Sequence, residues 1–250
     1  MKRLILILLL FTVKISLAAT PEDIFAQANE AYKRSEYIYA AELFEQIVDK
    51  GFISADLFYN LGNAYFKSNN LGRAILNYER ALRLRPMDED IQHNLSVARS
   101  RIVDRIEQRP MLFYERWWQA TYNLQGVDGW AITTVIVLVF FLSSLGIYLF
   151  SRIVSLKKGS FFAALIFFIV LVHAFIFTIK QYNRITSHSE AVVLQARTTA
   201  KSAPSAQSTD LFLLHEGTKV SVRSSLGDWI EIALPNGSVG WVRSETTETI

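Results

Sequence analysis

The fold is decided by residues 55–88, which read ADLFYNLGNAYFKSNNLGRAILNYERALRLRPMD. The small residues Gly62 and Ala74 allow two antiparallel helices to approach closely, and Tyr78 fills the space between neighbouring turns. Pro86 ends the second helix, because proline cannot continue the hydrogen-bond pattern of a helix. The stretch therefore predicts a hairpin of two packed helices.

This spacing resembles the tetratricopeptide repeat, whose pattern asks for an aromatic residue, Leu-Gly, Tyr, Ala, an aromatic residue, Ala and Pro. The matching positions are Phe58, Leu61-Gly62, Tyr65, Ala74, Tyr78, Ala81 and Pro86. Residues 22–54 give a weaker copy, in which Asn29 replaces the small Gly and the turn between the helices is one residue short. Residues 89–108 start a third unit without a second helix and are predicted to cap the stack.

Residues 22–108 thus predict an all-α helical-repeat module of two repeats and a cap. Arrays of this kind usually need at least about three units for stability. The module is therefore expected to be stabilised by contacts with the membrane, with the rest of the chain or with a partner.

Two later stretches predict transmembrane helices. Residues 130–150 and 161–179 contain no Asp, Glu, Lys or Arg, and each has about the length that crosses the hydrocarbon core of a bilayer. The loop 151–160 between them carries Arg152, Lys157 and Lys158 and no acid, which favours the cytoplasmic side. The chain is therefore expected to be a multi-domain membrane protein.

Residues 1–19 are typical of a secretory signal peptide. A basic start, an apolar run and Ser16-Leu17-Ala18 fit a cleavage after Ala18 or Ala19. The alternative is an uncleaved anchor, but Lys14 interrupts the apolar run too early for a span. Export of the N-terminal module, followed by two spans, predicts an inner-membrane protein whose N- and C-terminal domains are both periplasmic.

Residues 110–128 are amphipathic and rich in Trp and Tyr, which favour the membrane–water interface. An interfacial helix is expected there, and a ligand cage is the alternative. Residues 180–190 are predicted as a polar exit from the second span.

In residues 190–250 the apolar period changes to that of β-strands. Strands are predicted at 191–194, 219–223, 229–233 and 239–242, and a mobile Ser- and Ala-rich loop at 200–210. The Glu216-Gly217 turn, the Asp228-Trp229 entry and the closing Gly240-Trp241-Val242 resemble a bacterial SH3-type domain, which implies a small all-β SH3-like barrel.

Composition excludes several classes of function. Lys2, Arg3 and Lys14 are the only charged residues of 1–19, and without them the 26 basic residues fall to the number of the 23 acidic ones. A neutral chain has no bulk attraction for nucleic acid. The chain has no cysteine, its four histidines are scattered, and it shows no phosphate loop or nucleophile elbow. No catalytic residue, cofactor or metal ligand is therefore predicted.

His173 is a separate candidate, because an ionisable residue within a membrane span often has a function. No other charged residue or histidine lies in either span as a relay partner. The favoured interpretation is a neutral, hydrogen-bonded side chain packed against the other span.

The candidate sites are therefore binding surfaces. In tetratricopeptide repeats the first helix of each unit faces the ligand, which here gives Tyr59, Asn63, Phe66, Lys67, His93 and Arg101. The alternative for each of these residues is a solvated face. In the barrel, Trp229 and Trp241 are candidates for a peptide or cell-wall groove, and the favoured alternative places both where the small fold closes its core.

The order of modules, with the strings Asp90-Ile91-Gln92-His93-Asn94-Leu95, Arg116-Trp117-Trp118-Gln119 and Asp128-Gly129-Trp130-Ala131, resembles the BatE family of Bat (Bacteroides aerotolerance) operons. That resemblance implies partners among von Willebrand factor A-type membrane proteins, a MoxR-type ATPase nearby and a role in tolerance to oxygen. Because the chain lacks cysteine and a metal cluster, such a role must act through partners. The expected function is a non-enzymatic membrane scaffold, and the alternative is a peptidoglycan-binding module.

Overall fold

The computed structural model describes residues 20–106, 112–186 and 189–250, so the signal peptide predicted at 1–19 lies outside the described residues. The chain divides into two compact units, residues 1–52 and residues 53–250. The predicted fold class is confirmed: repeat helices, two long apolar helices and a C-terminal antiparallel sheet follow one another along the chain.

The first unit is a helical hairpin of α1 (Pro21–Lys33) and α2 (Tyr37–Asp49). The Thr20 side chain caps α1 by accepting a hydrogen bond from the Asp23 main-chain N–H. Ala28 is fully buried here, 34 positions before Gly62, and is therefore the residue that corresponds to Gly62 in the second repeat. The predicted alignment, which placed Asn29 there, is off by one residue, and the packing residue is small in both repeats.

The second repeat begins the second unit, with α3 (Ala55–Lys67) and α4 (Leu71–Leu84). A Cβ atom added to Gly62 would lie 2.7 Å from the ring of Tyr78, so the close helix approach requires glycine at this position. The turns of both repeats hold one residue with positive φ, Ser35 and Asn69, each at 64°. The two turns are therefore equally long, and the shortening predicted for the first is absent.

The capping helix α5 (Glu89–Arg99) is shorter than predicted. After it the chain leaves the helical path, and Ile102 and Ile106 contact the C-terminal barrel instead of continuing an apolar helix face. The helical spacing of these isoleucines was therefore misleading, because the barrel provides a second apolar surface for them.

Next come α6 (Phe113–Tyr122) and the two apolar helices α7 (Val127–Phe150) and α8 (Val154–Thr186), both long and apolar enough to cross a membrane. The connection between α7 and α8 is only residues 151–153, so Lys157 and Lys158 lie in the first turns of α8 and not in a loop. Likewise α8 runs through most of the predicted polar exit.

α6 is fixed to the end of α8. The Gln181 side chain, fully buried, donates hydrogen bonds to the main-chain oxygens of Tyr122 and Gln125, at 3.2 and 3.1 Å. The Trp130 indole N–H also donates to the Tyr122 oxygen, at 3.0 Å. These bonds satisfy the carbonyl of Tyr122 at the end of α6, which has no helical partner, and the carbonyl of Gln125 in the turn that follows.

The C-terminal domain is one antiparallel sheet in the order β3-β2-β6-β5-β4-β1-β7. Its strands are β1 (Glu190–Val193), β2 (Arg197–Lys201), β3 (Asp210–His215), β4 (Lys219–Leu226), β5 (Trp229–Ala233), β6 (Val239–Arg243) and β7 (Thr247–Thr249). Strands β2, β3 and β7 are additional to the sequence prediction, and Ala200 and Lys201 lie in β2 and not in a loop. The core of the domain includes Val193, Leu214, Ile232 and Val242.

Candidate partner-binding surfaces

The barrel is held against α4 by alternating charges, which we call the ion ladder: Arg99, Glu79, Lys219, Glu190 and Arg83. The Lys219 ammonium lies 3.0 Å from Glu79 and 2.9 Å from Glu190, and Arg83 lies 3.2 Å from Glu190. The side chains of Glu79 and Arg83 are only 3% and 5% exposed. Buried charges of this kind are tolerated because each has an opposite partner.

Glu190 shows the balance of forces in the ladder. Burial raises the pKa of its carboxyl, but the opposing charges and hydrogen bonds of Lys219 and Arg83 outweigh burial and hold that pKa below its ordinary value. Glu190 is therefore an ionised link between α4 and β4.

A second contact joins the segment after α5 to the barrel, and we call it the Asp104 clasp. The Asp104 carboxylate accepts hydrogen bonds from the main-chain N–H of His215 at 2.7 Å, from His215 Nδ1 at 2.7 Å and from the Thr218 hydroxyl at 2.6 Å. Burial raises the pKa of Asp104, but the bonds from Thr218 and His215 prevail and hold it below its ordinary value. Sequence spacing gave no sign of this pair, because 111 positions separate its members.

The clasp is a structural contact and not a metal site. Among the described residues there is no group of three or more His, Cys, Asp or Glu side chains that are placed to hold a metal ion. The Thr218 hydroxyl also bonds to the carboxylate and not to the imidazole, so the three groups do not form the relay that activates a hydroxyl nucleophile.

A second surface of the repeat module, formed by α3, α5 and the residues just after α5, holds the predicted partner-binding residues. Asn63 Oδ1 accepts hydrogen bonds from the Tyr78 hydroxyl at 2.7 Å and from the Asn94 amide at 2.9 Å, and Asn94 also bonds to the Tyr59 hydroxyl at 2.9 Å. Tyr59 and Asn63 are therefore half-buried members of a polar network that joins α3, α4 and α5. Asn94, a further member of this network, was not among the predicted partner-binding residues.

Three of the other predicted partner-binding residues are more exposed to solvent than Tyr59 and Asn63. The Arg101 guanidinium lies 4.4 Å from the centre of the Phe66 ring, a cation–π contact that joins α3 to the end of α5. Lys67 and His93 are exposed on α3 and α5. We call this surface the α3/α5 face; it offers an aromatic ring and two cations above a fixed polar network.

The two tryptophans of the barrel lie on one outward surface. The β5–β6 register pairs Trp229 with Arg243 and Glu231 with Trp241, so all four side chains point to the same side of the sheet. The core side chains Ile232 and Val242 belong to the other side. The interpretation that the tryptophans close the core is therefore wrong. Both are half-buried, and Arg243 lies 5.4 Å from the centre of the Trp229 ring.

The structure thus defines a class of protein: a helical-repeat module and a small β-barrel, docked together and joined through a hairpin of two apolar helices. Residues 55–88 match the tetratricopeptide repeat, and residues 197–248 match the bacterial SH3 domain. No curated protein matches the chain. Both matched modules are typically non-catalytic; the first indicates protein–protein interaction and the second is of a kind that binds cell wall.

Proposed function

We propose that this protein is a non-enzymatic scaffold of the bacterial inner membrane, which binds another protein through the α3/α5 face. The observation that carries the proposal is the way the barrel is docked. The ion ladder joins the barrel to α4 and to Arg99 at the end of α5, and the Asp104 clasp joins it to the segment after α5. The α3/α5 face keeps Lys67, His93 and Arg101 exposed. The surface that this repeat type ordinarily uses for partners is the one left open.

The contacts of the barrel also support the proposed topology. Glu79 precedes both apolar helices and Lys219 follows them, yet the two residues form an ion pair. Both folded parts therefore belong on one side of a bilayer that α7 and α8 cross. We assign that side to the periplasm, because Arg152, Lys157 and Lys158 lie at the other end of the hairpin and basic residues favour the cytoplasm.

Within this scaffold α6 is assigned to the membrane–water interface. Trp118 and Tyr122 pack against Phe177 of α8, while Phe113 and Trp117 are exposed on the outer side of α6. An exposed aromatic face joined to an apolar hairpin fits a helix that lies at the boundary between headgroups and acyl chains, with its aromatic side chains in the acyl region.

The partner we propose is a von Willebrand factor A-type membrane protein of a Bat aerotolerance complex. The proposal rests on the order of modules, in which a tetratricopeptide repeat, two apolar helices and a bacterial SH3 domain follow one another. A role in oxygen tolerance then depends on binding, since the chain has no cysteine with which to perform redox chemistry.

The test is co-purification of the tagged full-length protein from detergent-solubilised membranes of its own host. Lys67→Glu combined with Arg101→Glu reverses two exposed charges on the α3/α5 face and should remove the bound protein. Arg223→Glu, an exposed charge on β4, is the matched control and should retain it. Equal recovery of the partner with both variants would refute the scaffold.

A second candidate function is peptidoglycan binding by the barrel, and the outward position of Trp229 and Trp241 favours it. Half-exposed aromatic rings beside Glu231 and Arg243 provide stacking and hydrogen bonds for a sugar or a cell-wall peptide. Full-length protein in detergent should sediment with purified cell wall, and Trp241→Ala should reduce the bound fraction. Leu226→Ala, an exposed apolar residue of β4, is the control.

A further inference from the structure

His173 does not occupy the position that the sequence suggested. It is exposed on the outside of the helical hairpin, where its ring lies 6.2 Å from that of Trp118 in α6. Contacts between the two long helices are made by other residues, such as Phe140 with Phe167 and Thr134 with Thr178. The expectation that His173 packs against the other span is therefore wrong.

The hydrogen bond of His173 fixes the chemistry of its ring. Nδ1 lies 2.8 Å from the main-chain oxygen of Ile169, one turn earlier. A carbonyl oxygen only accepts, so Nδ1 must be the donor, and in the neutral ring Nε2 is then an acceptor. No hydrogen-bond donor within the described residues reaches Nε2.

The depth of His173 makes this acceptor costly. It lies six positions before Ile179, the end of the uncharged stretch, which at about 1.5 Å per residue is about 9 Å inside the span. Lipid chains supply no donor at that depth, and a buried polar group without a partner is destabilising. Two hydroxyl donors of the hairpin, those of Thr134 and Thr178, are used internally, since each donates to a carbonyl one turn earlier.

We propose that the His173 surface of α8 binds a transmembrane helix of a different protein, which donates a hydrogen bond to His173 Nε2. Around His173 the exposed apolar residues Ile169, Val170 and Ile176 supply the packing surface for such a helix. The donor is a hydroxyl, an amide or a protonated carboxyl of the partner. A second copy of this chain would place one acceptor against another if His173 lay on a two-fold axis, so a copy in that arrangement cannot supply the donor.

This inference rests on the proposed membrane scaffold and names a second contact of the same assembly. The test places a photo-crosslinking benzoylphenylalanine at Ile169, on the His173 side of α8, in the full-length protein in its host membrane. Phe175 is the matched control, since it is similarly exposed and close in depth but lies about 200° around the helix from His173.

The expected result is an adduct from Ile169 whose cross-linked peptide is a transmembrane segment of another protein, with little or none from Phe175. His173→Leu should lower the adduct yield about three- to tenfold, the change in association that the free energy of a polar contact between membrane helices corresponds to. His173→Gln, which keeps an acceptor oxygen, should restore most of it.

Four outcomes overturn the inference: adducts with lipid alone, an adduct between two copies of this chain, equal yields from both positions, or a yield that His173→Leu leaves unchanged. Failure here is separable from failure of the scaffold. If co-purification still depends on Lys67 and Arg101 while the Ile169 adduct is absent, only the intramembrane contact is lost.

Discussion

The charged residues of the two helices of the second repeat differ in their surroundings. On α4, Glu79 and Arg83 are almost fully buried and are paired with residues of the barrel. On α3, Lys67 is exposed, and Tyr59 and Asn63 bond to neighbouring helices of the repeat module. One hairpin therefore carries an occupied side and an open side.

This difference suggests why a short repeat array is sufficient. Stacked repeats normally bury each other's apolar faces, and an array of about two units leaves a large end uncovered. Here the barrel covers α4, with Gly72 against β1 and Gly217 against Ile75 and Ile102. Ion pairs between the two modules then fix their orientation, since charged contacts require a defined geometry more than apolar contacts do.

The largest loss of stability is expected when the Glu79 carboxylate, which joins α4 to the barrel, is removed. Glu79→Ala leaves Lys219 and Arg99 without their shared carboxylate, and loss of one partner from a buried pair costs about 3–5 kcal/mol. Hydrogen exchange of the detergent-solubilised full-length protein should show faster exchange in β1 and β4.

Glu42→Ala is the matched control for this experiment, because Glu42 is an exposed helical glutamate. It should leave exchange in the barrel unchanged. If Glu79→Ala behaves like Glu42→Ala, the ion ladder does not hold the barrel on α4.

A smaller loss of stability is expected from alanine substitutions at two glycines that share a backbone conformation. Gly217 and Gly227 both have positive φ, 83° and 59°, so alanine strains the backbone at either position. A Cβ on Gly217 would also lie 2.6 Å from Ile102 and 2.8 Å from Ile75, whereas nothing lies within 4 Å at Gly227.

Gly217→Ala should therefore destabilise the docked barrel by about 1–3 kcal/mol more than Gly227→Ala does. The free energy of barrel opening, measured by the same hydrogen exchange, gives the difference directly. Equal losses would mean that the strand turn, and not the contact with the repeats, limits stability at Gly217.

The contrast between predicted and observed features has a physical basis. Spans of hydrocarbon length and the small–aromatic spacing of Gly62 and Tyr78 are local properties, so the sequence predicts them well. Strand β2 reads RTTAK, with little apolar alternation, and it lies between β3 and β6, which are distant from each other in sequence. The same limit explains the error in the length of the capping helix, where the barrel draws Ile102 and Ile106 away.

The candidate sites divide in the same way. Lys67 and His93 were predicted from repeat positions, and the helical frame leaves them exposed. The ion ladder and the Asp104 clasp join residues more than 100 positions apart, and each charged residue alone is typical of a solvated helix face or turn. Periodicity carries no information on such pairs.

Acidification should weaken the contacts between the barrel and the repeat module more than the bonds within the α3/α5 face. The pKa values of Asp104 and Glu190 lie below their ordinary values in the folded chain, so their stabilisation is present above the unfolded-state pKa, about 4, and is lost as pH falls through the folded-state pKa. Barrel opening should therefore become easier below about pH 4.

Asp104→Asn separates the contribution of the clasp. It removes one carboxylate that acid would otherwise protonate, so the loss of stability between pH 7 and pH 3 should shrink. Hydrogen exchange across this pH range, corrected for the intrinsic rate, measures the change. Asp49→Asn, an exposed position, should leave the pH dependence as it is.

The smallest effect on stability is expected at Lys67, a residue of the surface that is proposed to bind the partner. Lys67→Glu changes an exposed side chain, so the free energy of opening of α3 should move by no more than about 0.5 kcal/mol. Asn63→Ala should cost about 1–3 kcal/mol, because it leaves the Tyr78 hydroxyl and the Asn94 amide without their shared acceptor. Hydrogen exchange in α3 and partner recovery, measured on both variants, distinguish the two roles. A large loss of stability in Lys67→Glu would show that the open side is also structural, and that a lost partner cannot be assigned to a lost contact.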